Sequence, residues 1–136
     1  MYPPVKSSEF GVHSSLHCLN LIISNLITIK LDCREVFERD VGRLDPKTGK
    51  ITLKPSPTPG SRPYGITITP EGGVWYSESG VQPNTIVRFC PETRQFEKWD
   101  IPSVGGVVRN MASTPGGYIY IACSGVNKVG IVRAGQ

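Results

Sequence analysis

Short runs rich in apolar residues, each closed by a turn, follow one another along the second half of the chain. Residues 64–69 and 74–78 are two such runs, and the Pro-Glu-Gly-Gly turn between them has Pro to fix one φ angle and Gly to accept a positive one. Two further runs, 85–90 and 95–101, follow after a loop and a second turn. This pattern predicts four antiparallel β-strands.

The same order of strands and turns recurs at a shift of 45 residues. Residues 41–81 align without a gap to residues 86–126, with eleven identities in 41 positions. The identical pairs are Arg43/Arg88, Pro46/Pro91, Thr48/Thr93, Pro57/Pro102, Gly60/Gly105, Thr69/Thr114, Pro70/Pro115, Gly72/Gly117, Ser79/Ser124, Gly80/Gly125 and Val81/Val126. Residues 86–88 begin to recur again at 129–131, after a shortening of two residues. Four strands per 43 to 45 residues is typical of a β-propeller blade.

The chain is therefore predicted to be all-β, a partial, unclosed β-propeller of about two four-stranded antiparallel blades over residues 41–136. Residues 41–55 supply two outer strands, 61–101 a full blade, and 107–133 three strands of another. Residues 1–40 do not fit the repeat and are an unassigned N-terminal extension. Within them, residues 19–31 are rich in Ile and Leu and are compatible with a strand pair, a short helix or sequence that does not pack. Because a blade buries its faces only against neighbours, we expect exposed faces and self-association.

Composition and charge narrow the choice of partners. The chain has 136 residues, 38% of them hydrophobic and 19% charged, which fits one soluble domain. The net charge is −1 over residues 1–40 and +5 over 41–136, with no Lys/Arg run, so we expect no nucleic-acid partner. The apolar stretch 16–31 is broken by polar residues and is too short to span a membrane. Four scattered cysteines favour the cytoplasm and leave a secreted or periplasmic location open.

Three phrases carry a resemblance to a known family. V-G-R-L-D-P-K-T-G-K-I-T at 41–52, R-P-Y-G-I at 62–66 and G-V-W-Y-S-E at 73–78 resemble the repeat of the streptogramin (virginiamycin B) lyases. The resemblance covers residues 41–133 and implies a fragment of a seven-bladed propeller. The implied activity is a magnesium-dependent β-elimination that linearises a cyclic depsipeptide antibiotic, in which a His removes the proton α to a carbonyl and Mg²⁺ stabilises the developing charge.

The resemblance also locates candidate residues. The family's catalytic phrase, Glu-Pro-His-Gly with a Glu at the end of the next strand, corresponds here to residues 62–65 and Glu78. Glu78 keeps a carboxylate and is the candidate metal ligand, whereas Arg62 replaces a ligand and Tyr64 replaces the base. No His occurs in 41–136. We therefore predict no catalytic residue here, no lyase activity from this chain alone, and no Mg²⁺ bound by it alone.

The candidate substrate-binding residues are Tyr64, Arg62 and Arg109. In the family a Pro-Tyr-Gly phrase occurs in a non-catalytic blade with its Tyr facing the substrate. The two arginines would lie near strand entries, on the same rim of the propeller, and would neutralise an acidic group of the ligand. The ligand would be a small molecule or a peptide lactone. Simpler interpretations remain open: the Tyr64 ring packs on the next blade, the arginines are solvated, and Glu78 braces the loop that follows it.

Two alternatives to a lyase fragment come from other classes. One is a non-catalytic propeller segment that binds a ligand or a protein, and the other is a propeller like the lactone hydrolases, which needs a cation held by several blades. Cys123 is expected to be a buried small residue rather than a nucleophile. Trp75 and Trp99 are expected to pack within the blades. His13 and His17 lack a third ligand, so no metal site is expected there.

Overall fold

In the computed structural model, the backbone is described for residues 22–24 and 26–29, and the whole residues for 40–45 and 47–134. Eleven strands occupy this part of the chain, with one 3-10 turn at Ser124–Val126 as its helical element. The strands are β1 (Ile22–Ser24), β2 (Leu26–Ile29), β3 (Asp40–Leu44), β4 (Ile51–Pro55), β5 (Pro63–Ile68), β6 (Val74–Glu78), β7 (Thr85–Phe89), β8 (Phe96–Asp100), β9 (Val108–Ser113), β10 (Tyr118–Cys123) and β11 (Lys128–Arg133).

The strands form three antiparallel sheets in chain order. The first sheet has the order β1-β2-β3-β4, the second β5-β6-β7-β8 and the third β9-β10-β11. Each strand pairs with the next one along the chain, so every sheet is a simple up-and-down meander. The prediction of an all-β, partial and unclosed propeller is confirmed.

The first sheet has four strands where the repeat located only the outer two. Strands β1 and β2 pair with each other, and β2 pairs with β3, for example through Ile27 and Leu44. Of the three conformations compatible with residues 19–31, their described part therefore adopts the strand pair. The repeat could not reveal these strands because residues 22–29 share no recognisable phrase with the later blades.

The 45-residue repeat in the sequence is also a repeat in the structure. Strands β3, β4 and β5 recur 45 residues later, with the same bounds, as β7, β8 and β9. Tyr76 pairs with Val87 in the second sheet, and Ile121 pairs with Gly130 in the third. Those pairs are 11 and 9 residues apart, which is the shortening by two residues that the sequence predicts.

A first apolar interface joins the first and second sheets. Tyr76 and Val87 are fully buried in a cluster with Val41 from β3. Strand β6 is buried along its whole length. Since successive side chains of a strand point to opposite faces, its even-numbered residues face the first sheet.

A second apolar interface joins the second and third sheets and uses the other face of β6. Trp75 is buried in a cluster with Val108 and Ile119 of the third sheet. Its ring also stacks on that of Trp99, with centroids 5.5 Å apart. The prediction that these rings pack within the blades is confirmed for Trp75, whereas Trp99 stacks on it and is itself 48% exposed. The two faces of β6 show that the sheets stack one after another.

Other sequence expectations are also resolved by the fold. Cys123 is buried in the second apolar interface, as expected, and its thiol is free. His13, His17, Cys18 and Cys33 lie outside the described residues. Among the residues that the structure does describe, no helix has the length and apolar character needed to cross a membrane.

Candidate functional site

The first strands of the second and third sheets, β5 and β9, each contain a β-bulge at the same position of the repeat. In the second sheet, Pro63 pairs with Glu78 and Ile66 with Tyr76, so two residues of β5 lie opposite Ser77 alone. In the third sheet, the register shifts so that Arg109 is the additional residue of β9. Bulges of this kind bend a strand and redirect a side chain.

The two bulges bring Tyr64 and Arg109 together. The guanidinium carbon of Arg109 lies 6.0 Å from the centre of the Tyr64 ring, at the limit of a cation–π contact. Arg109 is exposed and Tyr64 is half-buried. Tyr64 thus contacts a side chain of the third sheet, while the exposed guanidinium keeps donors available to a ligand. We call this pair the bulge rim.

Arg62 lies two residues before Tyr64 on the same strand entrance. It is exposed and has a φ of 45°, a left-handed conformation that is uncommon for a residue with a side chain. Its carbonyl accepts a hydrogen bond from the Ser79 N–H at 3.2 Å. The structure therefore ties the Arg62 backbone to the loop after β6.

Glu78 points away from the bulge rim and is fully buried. One carboxylate oxygen accepts a hydrogen bond from the Ser56 hydroxyl at 2.6 Å, and the other accepts one from the Thr85 hydroxyl at 2.7 Å. Ser56 is also 2.6 Å from the Tyr76 hydroxyl. Because Ser56 has one proton and gives it to Glu78, Tyr76 is the donor in that contact. We call these four residues the Glu78 network.

The Glu78 network links the loop after β4 to strands β6 and β7, and so connects the first and second sheets. It accounts for the buried carboxylate by hydrogen bonding, with Ser56 and Thr85 as the partners rather than the loop that follows Glu78. Within residues 40–45 and 47–134, no three His, Cys, Asp or Glu side chains lie close enough to hold a metal ion together. With both Glu78 oxygens engaged by hydroxyls, the described residues do not fit a Mg²⁺ site.

Burial raises the pKa of Tyr76 above its ordinary value of 10.0, opposed by the Ser56 hydrogen bond and assisted by the charge of Glu78. A raised pKa stabilises the folded state at neutral pH, and that contribution is lost as the pH rises above 10. We expect the free energy of unfolding to fall with pH above 10 by up to about 1.4 kcal/mol per pH unit more in the wild type than in Tyr76→Phe.

This expectation is tested by urea unfolding of both proteins at several pH values from neutral to strongly alkaline. Tyr118→Phe, which changes an exposed tyrosine, is the matched control and should keep the wild-type slope. If the free energy of unfolding fell with pH equally in the wild type and in Tyr76→Phe, the result would contradict the burial of an ionisable hydroxyl at this position.

Sequence reasoning found the members of the bulge rim and Glu78, but not the other three members of the Glu78 network. Ser56 lies in the Pro-rich stretch 55–59 and looks like an ordinary turn residue. Thr85 and Tyr76 look like strand residues. The one signal in the sequence was an acidic residue at the end of an apolar strand. If its carboxylate is buried, it requires hydrogen-bond donors from elsewhere in the chain.

Comparison of the fold with solved structures identifies its relatives. Two structures of virginiamycin B lyase from Staphylococcus aureus match with a TM-score of 0.67 and 25% identity over 79% of this chain. One is a catalytically inactive variant with quinupristin and the other is selenomethionine-substituted. The chain resembles the virginiamycin B lyases. A streptogramin B lyase structure matches with a TM-score of 0.62 and 22% identity over 82% of this chain, and supports the fold alone.

The resemblance to virginiamycin B lyase that the three phrases predicted is thus confirmed. The matched region spans about a third of those virginiamycin B lyase chains, 34% in both Staphylococcus aureus structures, which is consistent with a fragment of the propeller. No protein-family model matches the sequence, and the comparison with curated proteins also finds no match.

Proposed function

We propose that this chain is a ligand-binding, non-catalytic segment of a virginiamycin B lyase-type propeller, and that its bulge rim binds a cyclic depsipeptide of the streptogramin B class. The observation that carries the proposal is the pair of equivalent bulges, which places Tyr64 and Arg109 side by side. Bulges are over-represented next to active sites because they redirect side chains there.

The chemistry of the bulge rim suits such a ligand. A tyrosine ring offers a flat apolar face, and a guanidinium offers several N–H donors to carbonyl oxygens in a fixed planar geometry. A cyclic depsipeptide presents ester and amide carbonyls together with apolar side chains. Quinupristin, present with one of the similar lyases, supplies an available probe of this class.

A β-elimination requires a base and a metal site, and the described residues offer neither. Residues 41–136 contain no His, and the raised pKa of Tyr76 keeps its hydroxyl protonated, so that it cannot act as a base at neutral pH. The Glu78 carboxylate is occupied by Ser56 and Thr85. We therefore propose that the chain binds the ligand without linearising it. A lactone-hydrolase activity needs a similar cluster of metal ligands and gains no support from this part of the chain.

Calorimetric titration of the chain with quinupristin tests this proposal. We expect saturable binding, weakened roughly tenfold by Arg109→Ala, since loss of a charged donor typically costs about 1.4 kcal/mol or more. Arg133→Ala is the matched control, because Arg133 lies 5.9 Å from the ring of Tyr118 and makes the same kind of contact elsewhere. Equal weakening by both variants, or no binding by the wild type, would reject the bulge rim as the site.

Mass spectrometry of the same mixtures with Mg²⁺ tests the absence of elimination. We expect only cyclic quinupristin after prolonged incubation. Linear product that forms with the wild type and disappears in Tyr64→Phe would show that Tyr64 serves as the base, contrary to the proposal.

A further inference from the structure

A cavity lies between the first and second sheets, at the opposite end of β6 from the bulge rim. Its volume is about 430 Å³, within the range of about 300–1,000 Å³ that is usual for small-molecule sites. Val74, at the start of β6, lines the cavity, whereas Glu78 ends the same strand beside the entrance to β5. The cavity therefore belongs to the junction between two four-stranded sheets and is separate from the bulge rim.

Three cationic side chains line this cavity. Arg43 and Lys54 come from β3 and β4, and Arg94 comes from the turn between β7 and β8. Val41 pairs with Lys54, and Arg43 follows Val41 by two residues, so all three lie on one face of the first sheet. Val41 packs against the second sheet, so this is the face that meets it. None of the described residues that line the cavity is an Asp or Glu, so its lining carries a positive charge.

The wall that the second sheet supplies is aromatic. Phe89 and Phe96 pair across β7 and β8 with ring centroids 4.8 Å apart, and both are half-buried. They pack against the apolar cluster that contains Val41 and Val74. A ligand that complements the cavity therefore has an anionic group and an apolar, ring-shaped body.

The repeat shows that the charge of Arg43 lacks a neutralising carboxylate that its equivalent has. In the second sheet, Arg88 lies opposite Glu97 and forms a salt bridge with it at 3.1 Å. In the first sheet, Arg43 lies opposite Thr52, which carries no charge. Asp45, two residues further along, does not line the cavity, and its carboxylate accepts a hydrogen bond from a backbone N–H of its own turn at 2.9 Å.

The third cation occupies an unfavourable backbone position. Arg94 has a φ of 59°, in the left-handed region, and its equivalent in the repeat is Gly49, with a φ of 69°. The two turns close alike, since the Arg94 N–H donates to the Cys90 carbonyl and the Gly49 N–H to the Asp45 carbonyl, both at 2.8 Å. Glycine suits this conformation, so an arginine that is strained there points to a role for its side chain.

We propose that this cavity binds a small aromatic carboxylate. The guanidinium groups of Arg43 and Arg94 and the ammonium group of Lys54 would hold the carboxylate, and guanidinium matches its planar geometry with two parallel N–H donors. The rings of Phe89 and Phe96 would pack on the aromatic body. The proposal does not rest on the ligand of the bulge rim, because the two sites share no residue.

An NMR titration of the full chain with naphthoate, and in parallel with the neutral naphthamide, tests this proposal. We expect naphthoate to cause saturable shifts of the amides of residues 41–43, 52–54 and 92–94, and naphthamide to bind at least roughly tenfold more weakly. Equal binding of both compounds, or shifts confined to other residues, would overturn the proposal. Hexaglutamate that shifts these amides when naphthoate does not would overturn it in favour of an acidic peptide.

Substitution of Thr52 tests the part played by charge. Thr52→Glu copies the pairing of Arg88 with Glu97, and we expect it to weaken naphthoate binding roughly tenfold. Thr52→Gln introduces a neutral side chain of nearly the same size and is the matched control, expected to bind within about twofold of the wild type. Equal binding by the two variants would overturn the electrostatic basis of the site.

Arg94→Gly separates binding from folding. We expect it to weaken naphthoate binding roughly tenfold and at the same time to raise the urea midpoint, because glycine relieves the strain at this φ. A purely structural role for Arg94 would not move the two measurements in opposite directions. Naphthoate binding as tight as that of the wild type would overturn the assignment of Arg94 to the site.

Discussion

Gly80→Ala is expected to lower the free energy of unfolding by roughly 3 kcal/mol. A Cβ atom at Gly80 would collide with the carbonyl oxygen of Gly60 and lie 2.9 Å from Cγ of Arg62. The loop cannot easily retreat, since the Gly80 N–H donates a hydrogen bond to the Ser61 carbonyl at 2.9 Å. The substitution must therefore displace backbone at the entrance to β5.

The same contact recurs one repeat later and provides an internal check. A Cβ at Gly125 would lie 2.5 Å from the carbonyl oxygen of Gly105. Gly125→Ala should therefore be destabilising to a similar degree. Gly116→Ala is the control, because its Cβ would meet only ordinary contacts at 3.7 Å or more, and its effect should stay within about 0.5 kcal/mol.

Urea unfolding followed by tryptophan fluorescence measures all three changes. Equal stability of Gly80→Ala and Gly116→Ala would mean that the loop after β6 does not pack on the entrance to β5. Because Gly80 and Gly125 are one of the identical pairs of the repeat, that result would also remove the structural reason for keeping glycine at this position.

Glu78→Ala should have an effect of similar size, a loss of roughly 3 kcal/mol in the free energy of unfolding. The substitution removes the acceptor for Ser56 and Thr85, and hydrogen bonds to a charged group contribute about 1.5 to 3 kcal/mol each. Ser56 is also the partner of the Tyr76 hydroxyl, so its reorientation would disturb that contact. The change weakens the junction between the first and second sheets.

Glu97→Ala is the matched control for Glu78→Ala. Its carboxylate makes an exposed salt bridge with Arg88 at 3.1 Å, and such pairs contribute less than about 1 kcal/mol.

Thermal unfolding with and without Mg²⁺ distinguishes a structural role of Glu78, as a hydrogen-bond acceptor between sheets, from a role as a metal ligand. A Mg²⁺-dependent rise in the melting temperature of the wild type that is absent in Glu78→Ala would contradict the structural role and indicate a metal ligand.

The strands and the repeat were predictable because both are local properties of the sequence. Turns such as Pro70-Glu71-Gly72-Gly73 fix where a strand ends, and alternation fixes which residues share a face. The structure places the positive φ of Gly72 and of its equivalent Gly117 in those turns. Local turn chemistry was thus sufficient to define each sheet from β3 onwards.

The contacts between sheets were not predictable in the same way. The acceptor role of Glu78 depends on Ser56, 22 residues away in the chain, and on how two sheets pack. A single sequence does not show which residues that far apart in the chain meet when two sheets pack. Strands β1 and β2 were missed for a related reason, since their membership of the first sheet is defined by pairing with β3 and not by any shared phrase.

The candidate site was predictable only in part, since its residues could be selected from the sequence but their contact could not. The family resemblance selected Tyr64, the place near a strand entry selected Arg109, and the repeat shows that the two occupy equivalent positions. That they meet follows from a bulge in each strand, which the register reveals and the residue types do not. The pairing of candidates therefore required the structure, whereas their selection did not.

The radial stacking of the sheets is tested most directly by the contacts of two adjacent residues of β6. NMR nuclear Overhauser effects should connect the Trp75 ring with Ile119 of the third sheet, and the Tyr76 ring with Val41 of the first. Effects from both rings to a single sheet, or from only one ring to any neighbouring sheet, would contradict the stacking and point to a two-sheet sandwich.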